Sequence, residues 1–217
     1  MSTKTTMTVR CPKCKKEFET VCWDSLNAEL NPEEKIKLLD GTFFDQKCGH
    51  CGIVARMFHP VLYHDMSNKA MIWFFTDEKS TDEAYKTIEF AEKELKEYGK
   101  GNKYTYRIVF DPNDLREKVL IVDNGLDDRV IEVLKLIFAL MIMKQYPKER
   151  IEIVYFDVDD NGDYIFKLYS ESENVITTNL DKAFYDAIAN EYADVIKKTS
   201  VKKYVIDQNW AVKILKK

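Results

Sequence analysis

The sequence is poor in the features that mark disorder, export and cofactor loops. It has only 7 glycines and 5 prolines in 217 residues, too few for a low-complexity or linker-dominated chain. No glycine-rich phosphate loop, H-E-x-x-H or G-x-S-x-G occurs. The marks of nucleotide phosphate cradles, zincin proteases and serine hydrolases are therefore missing. The opening stretch MSTKTTMTVR is polar and has no apolar signal core. The longest apolar run, Leu136 to Met143, falls far short of the ~18–20 residues a membrane-crossing helix needs. These absences lead us to expect a cytoplasmic chain with no membrane anchor. In a reducing compartment its cysteines read as metal ligands before disulfides.

An excess of one charge is also lacking. Residues 1–100 carry 15 basic and 17 acidic side chains, and residues 101–217 carry 18 and 20, for a net charge of −4. Neither half is a polyanion-binding block. Aromatic residues are plentiful but do not interleave with Lys and Arg in any one segment, which argues against single-stranded nucleic acid. One basic cluster stands out: Lys4, Arg10, Lys13, Lys15 and Lys16 precede the first acid, Glu17.

What the chain does have is four cysteines spaced C-x2-C-x33-C-x2-C: Cys11, Cys14, Cys48 and Cys51. Each pair can form a tight turn that aims two sulfurs at one point, and two such turns complete a tetrahedron of thiolates suited to Zn²⁺. With all four positions taken by sulfur, no place is left for water or substrate, so the site reads as structural. Iron in the same cage is the alternative metal. A Zn²⁺ held by four thiolates carries a formal charge of −2, which the neighbouring lysines offset. Gly49 and Gly52 are expected to supply positive φ in the second turn. The long gap contains its own short helix: Asn31 as cap, Pro32 at the first position, acids in the first turn and Gly41 at the end. Residues 23–41 thus read as a helical insertion in a zinc ribbon.

Further along, Glu17–Asp24 alternates as a strand, Thr42–Lys47 leads into the second pair as a strand, and 53–63 and 70–76 are rich in β-formers. An amphipathic helix over 80–98, with Tyr85, Ile88, Ala91 and Leu95 on one face, precedes the linker candidate Gly99–Asn102. Lys103–Phe110 reads as a strand. Helices follow from Asp111 and from Asp127 or Asp128, the second running to about Tyr146 and apolar on every face at its end. The segments 151–157 and 163–169 form a hairpin around Asn161-Gly162. Leu180–Lys198 reads as one amphipathic helix, and 201–215 is ambiguous. The expected architecture is α+β, with a zinc-ribbon region over 1–100 and an α+β region over 101–217. The helix ending in Phe138, Leu140, Met141 and Ile142 is expected to be buried within one chain by the hairpin, the helix at 180–198 and the strand at 103–110. A homodimer that pairs one of its faces is the alternative.

Cys11-Pro-Lys-Cys14, Trp23-Asp-Ser-Leu-Asn-Ala28, Leu39-Asp-Gly41, Cys48-Gly-His-Cys-Gly52 and Pro60-Val-Leu-Tyr-His-Asp65 together resemble the CpXC family of bacteria and archaea. Asn113 to Val119 and Gly125 to Arg129 resemble its later part, so the likeness covers residues 8 to about 135. Gly49 stands where the family name leads one to expect proline. The resemblance implies a prokaryotic, cytoplasmic, zinc-ribbon-like module and implies no substrate.

Other groups invite sharper readings. Cys48-Gly-His-Cys51 matches a disulfide-exchange tetrad, but the strand-like Ile53-Val54 follows where a helix is needed. Asp157 to Asp163 resembles a calcium loop, yet its twelfth position is Leu168 where a bidentate glutamate is required. His64 and Asp65, with His59 nearby, are candidates for an acid/base site, and Cys22 for a buried hydrophobe or a nucleophile. Lys13, Lys15 and Lys16 are the residues a nucleic-acid-associated ribbon would use. The leading expectation is a zinc-binding structural, interaction or regulatory module with a protein partner. An enzyme working near His59, His64 and Asp65 is the alternative, and nucleic acid a less favoured one.

Overall fold

The structure, a computed structural model, describes residues 2–97, 104–199 and 203–216. Two compact units divide the chain, Met1–Arg116 and Glu117–Lys217.

The first unit is built on two antiparallel hairpins and a mixed sheet. Strand β1 (Thr3–Arg10) pairs antiparallel with β2 (Glu17–Asn27), with Arg10 opposite Glu17 and Lys4 opposite Trp23. Sequence reading missed β1 because its threonines and lysine face solvent and leave no hydrophobic alternation. Helix α1 (Pro32–Asp40) follows. Its Gly41 cap is left-handed, φ +81°, as expected. Asn31, however, makes no side-chain cap; its Oδ1 accepts from Ser2 Oγ at 2.5 Å. Strands β3 (Asp45–Lys47) and β4 (Val54–Arg56) form the second hairpin.

Strand β5 (Val61–Asp65) lies parallel to the end of β2 and antiparallel to β6 (Ala70–Phe74). All five residues of β6 are buried, as befits a strand near the middle of the sheet. A short 3-10 turn at Glu78–Ser80, capped by Asp77 Oδ1 accepting from the Lys79 N–H, opens helix α2 (Thr81–Glu97). Ala84 and Ile88 are fully buried. Strand β7 (Thr105–Val109) pairs parallel with β6 and completes the sheet order β1-β2-β5-β6-β7. This corrects the expectation that the strand at 103–110 covers the later helix. Its buried Tyr106, Ile108 and Val109 sit opposite Met71, Trp73 and Phe74 of β6, so it belongs to the first unit. The linker candidate Gly99–Asn102 lies outside the described residues; the division into two units falls within helix α3 (Pro112–Asp123).

The second unit surrounds helix α4 (Asp128–Gln145), whose cap is Asp127 Oδ1 accepting from the Arg129 N–H. Strands β8 (Ile151–Val158), β9 (Tyr164–Ser170) and β10 (Val175–Asn179) form a three-stranded antiparallel sheet in the order β10-β9-β8. The Asn161-Gly162 turn is where the sequence put it, with Gly162 at φ +86°. The expected helix over 180–198 is two helices, α5 (Lys182–Glu191) and α6 (Ala193–Thr199), broken at Tyr192. The ambiguous tail forms α7 (Gln208–Leu215), capped by Asp207 Oδ1 on the Trp210 N–H. Its Trp210, Ala211 and Ile214 join Ile131, Leu134, Phe138, Phe156, Phe166 and Leu168 in one core.

Complete burial of the end of α4 does not hold. Phe138 is buried and Ile142 half-buried, but Leu140 and Met141 are 58% and 54% exposed. A helix apolar all round thus shows one side of its final turns to solvent.

Buried among these apolar groups is a cluster of five charges that hydrophobic periodicity cannot reveal. Lys118 Nζ sits 2.9 Å from Glu132 Oε1 and 3.0 Å from Asp128 Oδ2. Lys135 Nζ lies 2.8 Å from Glu117 Oε2 and 3.2 Å from Glu132 Oε1. Glu117 Oε1 also accepts from the Phe156 N–H, tying α3 to β8. Such charges persist in a core only when paired and hydrogen-bonded, since desolvation is otherwise prohibitive.

Candidate metal centre

Each cysteine pair sits on the tip of one hairpin: Cys11 and Cys14 between β1 and β2, Cys48 and Cys51 between β3 and β4. The two turns are built alike. In the first, the Cys11 N–H donates to Lys16 O at 2.9 Å and the Lys15 N–H donates to Cys11 O at 3.0 Å. In the second, the Cys48 N–H donates to Ile53 O and the Gly52 N–H to Cys48 O, both at 2.9 Å. Lys15 and Gly52 therefore occupy the same place, and both have positive φ, 61° and 72°. Of the two glycines singled out in the sequence, only Gly52 has positive φ; Gly49 does not, because it corresponds to Pro12 in the first turn. The lysine in the left-handed position is held by its neighbours: Lys15 Nζ donates to Pro12 O at 2.7 Å and Arg10 Nε to Lys15 O at 2.9 Å.

The four sulfurs lie within 4.8 Å of one another. Cys11 Sγ is 3.6 Å from Cys51 Sγ, and Cys14 Sγ is 3.8 Å from Cys48 Sγ. A tetrahedron with Zn–S bonds of ~2.3 Å has edges of about 3.8 Å. The cage thus fits a four-coordinate metal, and its soft thiolate donors suit Zn²⁺ or iron. Cys11 and Cys48 are buried and Cys14 and Cys51 half-buried.

The thiols differ in acidity. The Cys14 N–H, 3.5 Å from Cys11 Sγ, lowers the Cys11 thiol to about 6. At Cys14 the Lys16 N–H acts in the same direction, but burial and the sulfurs of Cys11, Cys51 and Cys48 outweigh it and push the thiol to about 11. Four clustered sulfurs thus shed protons unequally, and a cation at their centre would relieve that resistance.

His50 is not brought into the tetrad as a ligand. Its Nε2 lies 2.9 Å from Glu17 O, bracing the second turn against the start of β2. Thr20 Oγ1 donates to Gln46 Oε1, a second brace between the hairpins. The lysines expected to compensate the site are divided: Lys15 folds back onto its own turn, while Lys13 and Lys16 are exposed.

The structure does not gather His59, His64 and Asp65 into one site. His59 Nδ1 lies 3.2 Å from Met57 O, and its ring packs on Phe43 and Phe44. His64 Nε2 lies 3.2 Å from Tyr104 Oη, and burial lowers its pKa. Asp65 is buried and accepts from the Asn68 N–H, Asn68 Nδ2 and Tyr63 Oη, with Lys35 Nζ at 3.5 Å. Burial raises its carboxyl, yet those hydrogen bonds and Lys35 prevail and hold it below the ordinary value. It closes the turn after β5. Cys22 is buried on β2, and burial raises its thiol. Asp159 Oδ1 accepts from the Asn161 and Asp163 N–H groups, so the calcium-like segment serves as a hairpin turn.

Two hairpins whose tips present a cage of four cysteines, within a mixed α+β fold, define a zinc-ribbon-like protein. The sequence profile of the CpXC protein family matches residues 9–135, more than half of the chain. The chain belongs to the CpXC family. No curated protein and no solved structure matches it.

Proposed function

We propose that the protein is a cytoplasmic, zinc-stabilised interaction or regulatory module that works by binding a protein partner. Cys11, Cys14, Cys48 and Cys51 hold one Zn²⁺, and its role is structural. The observation that carries this reading is the closed cage. Four sulfurs on two separate hairpin tips meet at tetrahedral spacing with no open coordination place. Catalytic zinc keeps such a place; structural zinc does not. An enzyme working near His59, His64 and Asp65 is the less favoured reading, since each of those side chains already has a partner of its own. Use of Lys13, Lys15 and Lys16 for nucleic acid is weakened by the return of Lys15 to Pro12. The exposed Leu140 and Met141 leave a homodimer through the end of α4 as a further proposed contact.

The test is metal analysis of the native chain together with thiol counting. One zinc per chain, no visible colour and four protected thiols are expected. A metal-free protein with an unaltered melting curve would sink the reading.

A further inference from the structure

Between the two zinc-site hairpins and α1 runs a groove of about 480 Å³, within the size range of ligand sites. We infer that this groove binds an extended acidic peptide segment, an apolar side chain seated on Val21 and Val54 above the buried Trp23 and Phe43, and flanking carboxylates on Lys4 and Lys47; this deepens the interaction-module reading and rests on it.

The apolar part comes from both hairpins. Trp23 and Phe43 are buried beneath, while Val21 and Val54 stand about half exposed, on β2 and β4. Half-exposed valines lining one cavity are surface that a partner can cover. The charge of the groove is one-sided once its internal pairs are removed. Glu34 is bound to Lys37 at 2.9 Å, and Asp45 to Arg56 at 3.0 Å. Lys4 and Lys47 remain, and among the described residues neither has a carboxylate within ion-pair reach. Lys4 Nζ lies 4.0 Å from the centroid of the Trp23 ring. A cation held on an aromatic face is positioned without being neutralised, so its charge stays available to an incoming anion. The trough is open rather than enclosed, and two exposed ion pairs alone give little affinity. A small carboxylate therefore gains too little; a peptide that also covers the valines gains both contributions.

The hairpins that wall the groove are joined at their tips by the four-cysteine cage and along their length by Thr20 and Gln46.

The experiment titrates the zinc-loaded full chain with a blocked octapeptide, leucine-phenylalanine flanked by three glutamates on each side. The readouts are the NMR signals of the Trp23 indole and the Val21 and Val54 methyls, with Trp73 and Trp210 as internal controls. Saturable shifts confined to the groove are expected. Binding should weaken about three- to tenfold in each of Lys4→Glu and Lys47→Glu, and vanish when glutamine replaces glutamate in the peptide. Equal binding of the glutamine peptide, shifts mapping elsewhere, a stronger response to an eight-nucleotide oligothymidylate, or no saturation at millimolar peptide would each overturn the inference. Zinc content and the melting curve are measured on the same sample. A zinc-bound, folded chain that ignores the peptide rejects the groove alone, whereas a folded chain without zinc rejects the structural-zinc reading.

Discussion

Cys11 Sγ lies 3.6 Å from the Sγ of Cys51 on the other hairpin, although forty positions separate them in the chain. Cys14 meets Cys48 in the same way. Each bridge across the cage thus joins the first cysteine of one pair to the second of the other. A metal there would tie two hairpins that, among the described residues, share no strand pairing of their own.

Removing the metal should therefore unfold the first unit and spare the second. Structural zinc binding contributes ~10–16 kcal/mol in zinc-finger peptides, more than the whole stability of most domains. Chelation, or Cys48→Ser, should abolish the first-unit transition in calorimetry. The core of α4, β8, β9 and α7 contains none of the ligands and should keep its own transition. A single unchanged transition after zinc removal would refute this.

The equivalence of the two turns predicts opposite effects at two glycines. Gly49 takes the place of Pro12, its φ is not positive, and an added Cβ meets nothing within 4 Å. Gly49→Pro should raise stability by about 0.4–1 kcal/mol by restricting the unfolded chain. Gly52 has equally open space but φ +72°. Gly52→Ala should cost about 1 kcal/mol, because the left-handed region penalises a Cβ. Urea denaturation of the zinc-loaded variants separates the two. A gain at Gly52 or a loss above about 1 kcal/mol at Gly49 would break the equivalence.

Glu132 Oε1 serves both Lys118 and Lys135 within the core. At neutral pH Glu132→Gln should cost about 3–5 kcal/mol, since it leaves buried ammonium groups underpaired. The pH dependence has a definite sign. Burial raises the Glu132 carboxyl, but Lys118 and Lys135 outweigh it and hold it below its ordinary 4.5. Its contribution is present above 4.5 and is lost as pH falls through the lower folded value. The gap between wild type and Glu132→Gln should therefore narrow in acid. Glu117 behaves oppositely: burial raises its carboxyl above 4.5. Its contribution is full below 4.5 and is lost as pH rises through the folded value. The gap between wild type and Glu117→Gln should widen in acid. Denaturation curves at several pH values test both, and slopes of equal sign would contradict this picture of the cluster.

Disulfide exchange should be absent. Gly52 and strand β4 follow Cys51, so neither Cys48 nor Cys51 stands at a helix N-terminus. The Cys11→Ala, Cys14→Ala double variant, which frees the second pair, should not reduce insulin. Robust turnover by that variant would replace the zinc reading with a redox one.

Some features were legible in the sequence because they depend on neighbours along the chain. The two C-x2-C turns, Pro32 at a helix start, Gly41 at its end, the Asn161-Gly162 hairpin and the Asp127 cap are all local, and all appear where residue chemistry places them. The four cysteines were legible as one site because tetrahedral thiolate coordination needs four sulfurs, and two tight pairs supply them.

Long-range pairing and burial were decided only by tertiary structure. An exposed edge strand such as β1 carries no hydrophobic alternation, so its partner β2 makes it visible. The strand at 105–109 alternates whichever sheet receives it, and only its pairing with β6 assigns it to the first unit. Glu117, Lys118, Glu132 and Lys135 look like ordinary helix-surface charges, because burial of a charge depends on a partner brought in from another element. Sequence alone determined which atoms can bind the metal. The fold determined which hairpins a metal would join, since only tertiary packing brings the two cysteine-bearing tips together.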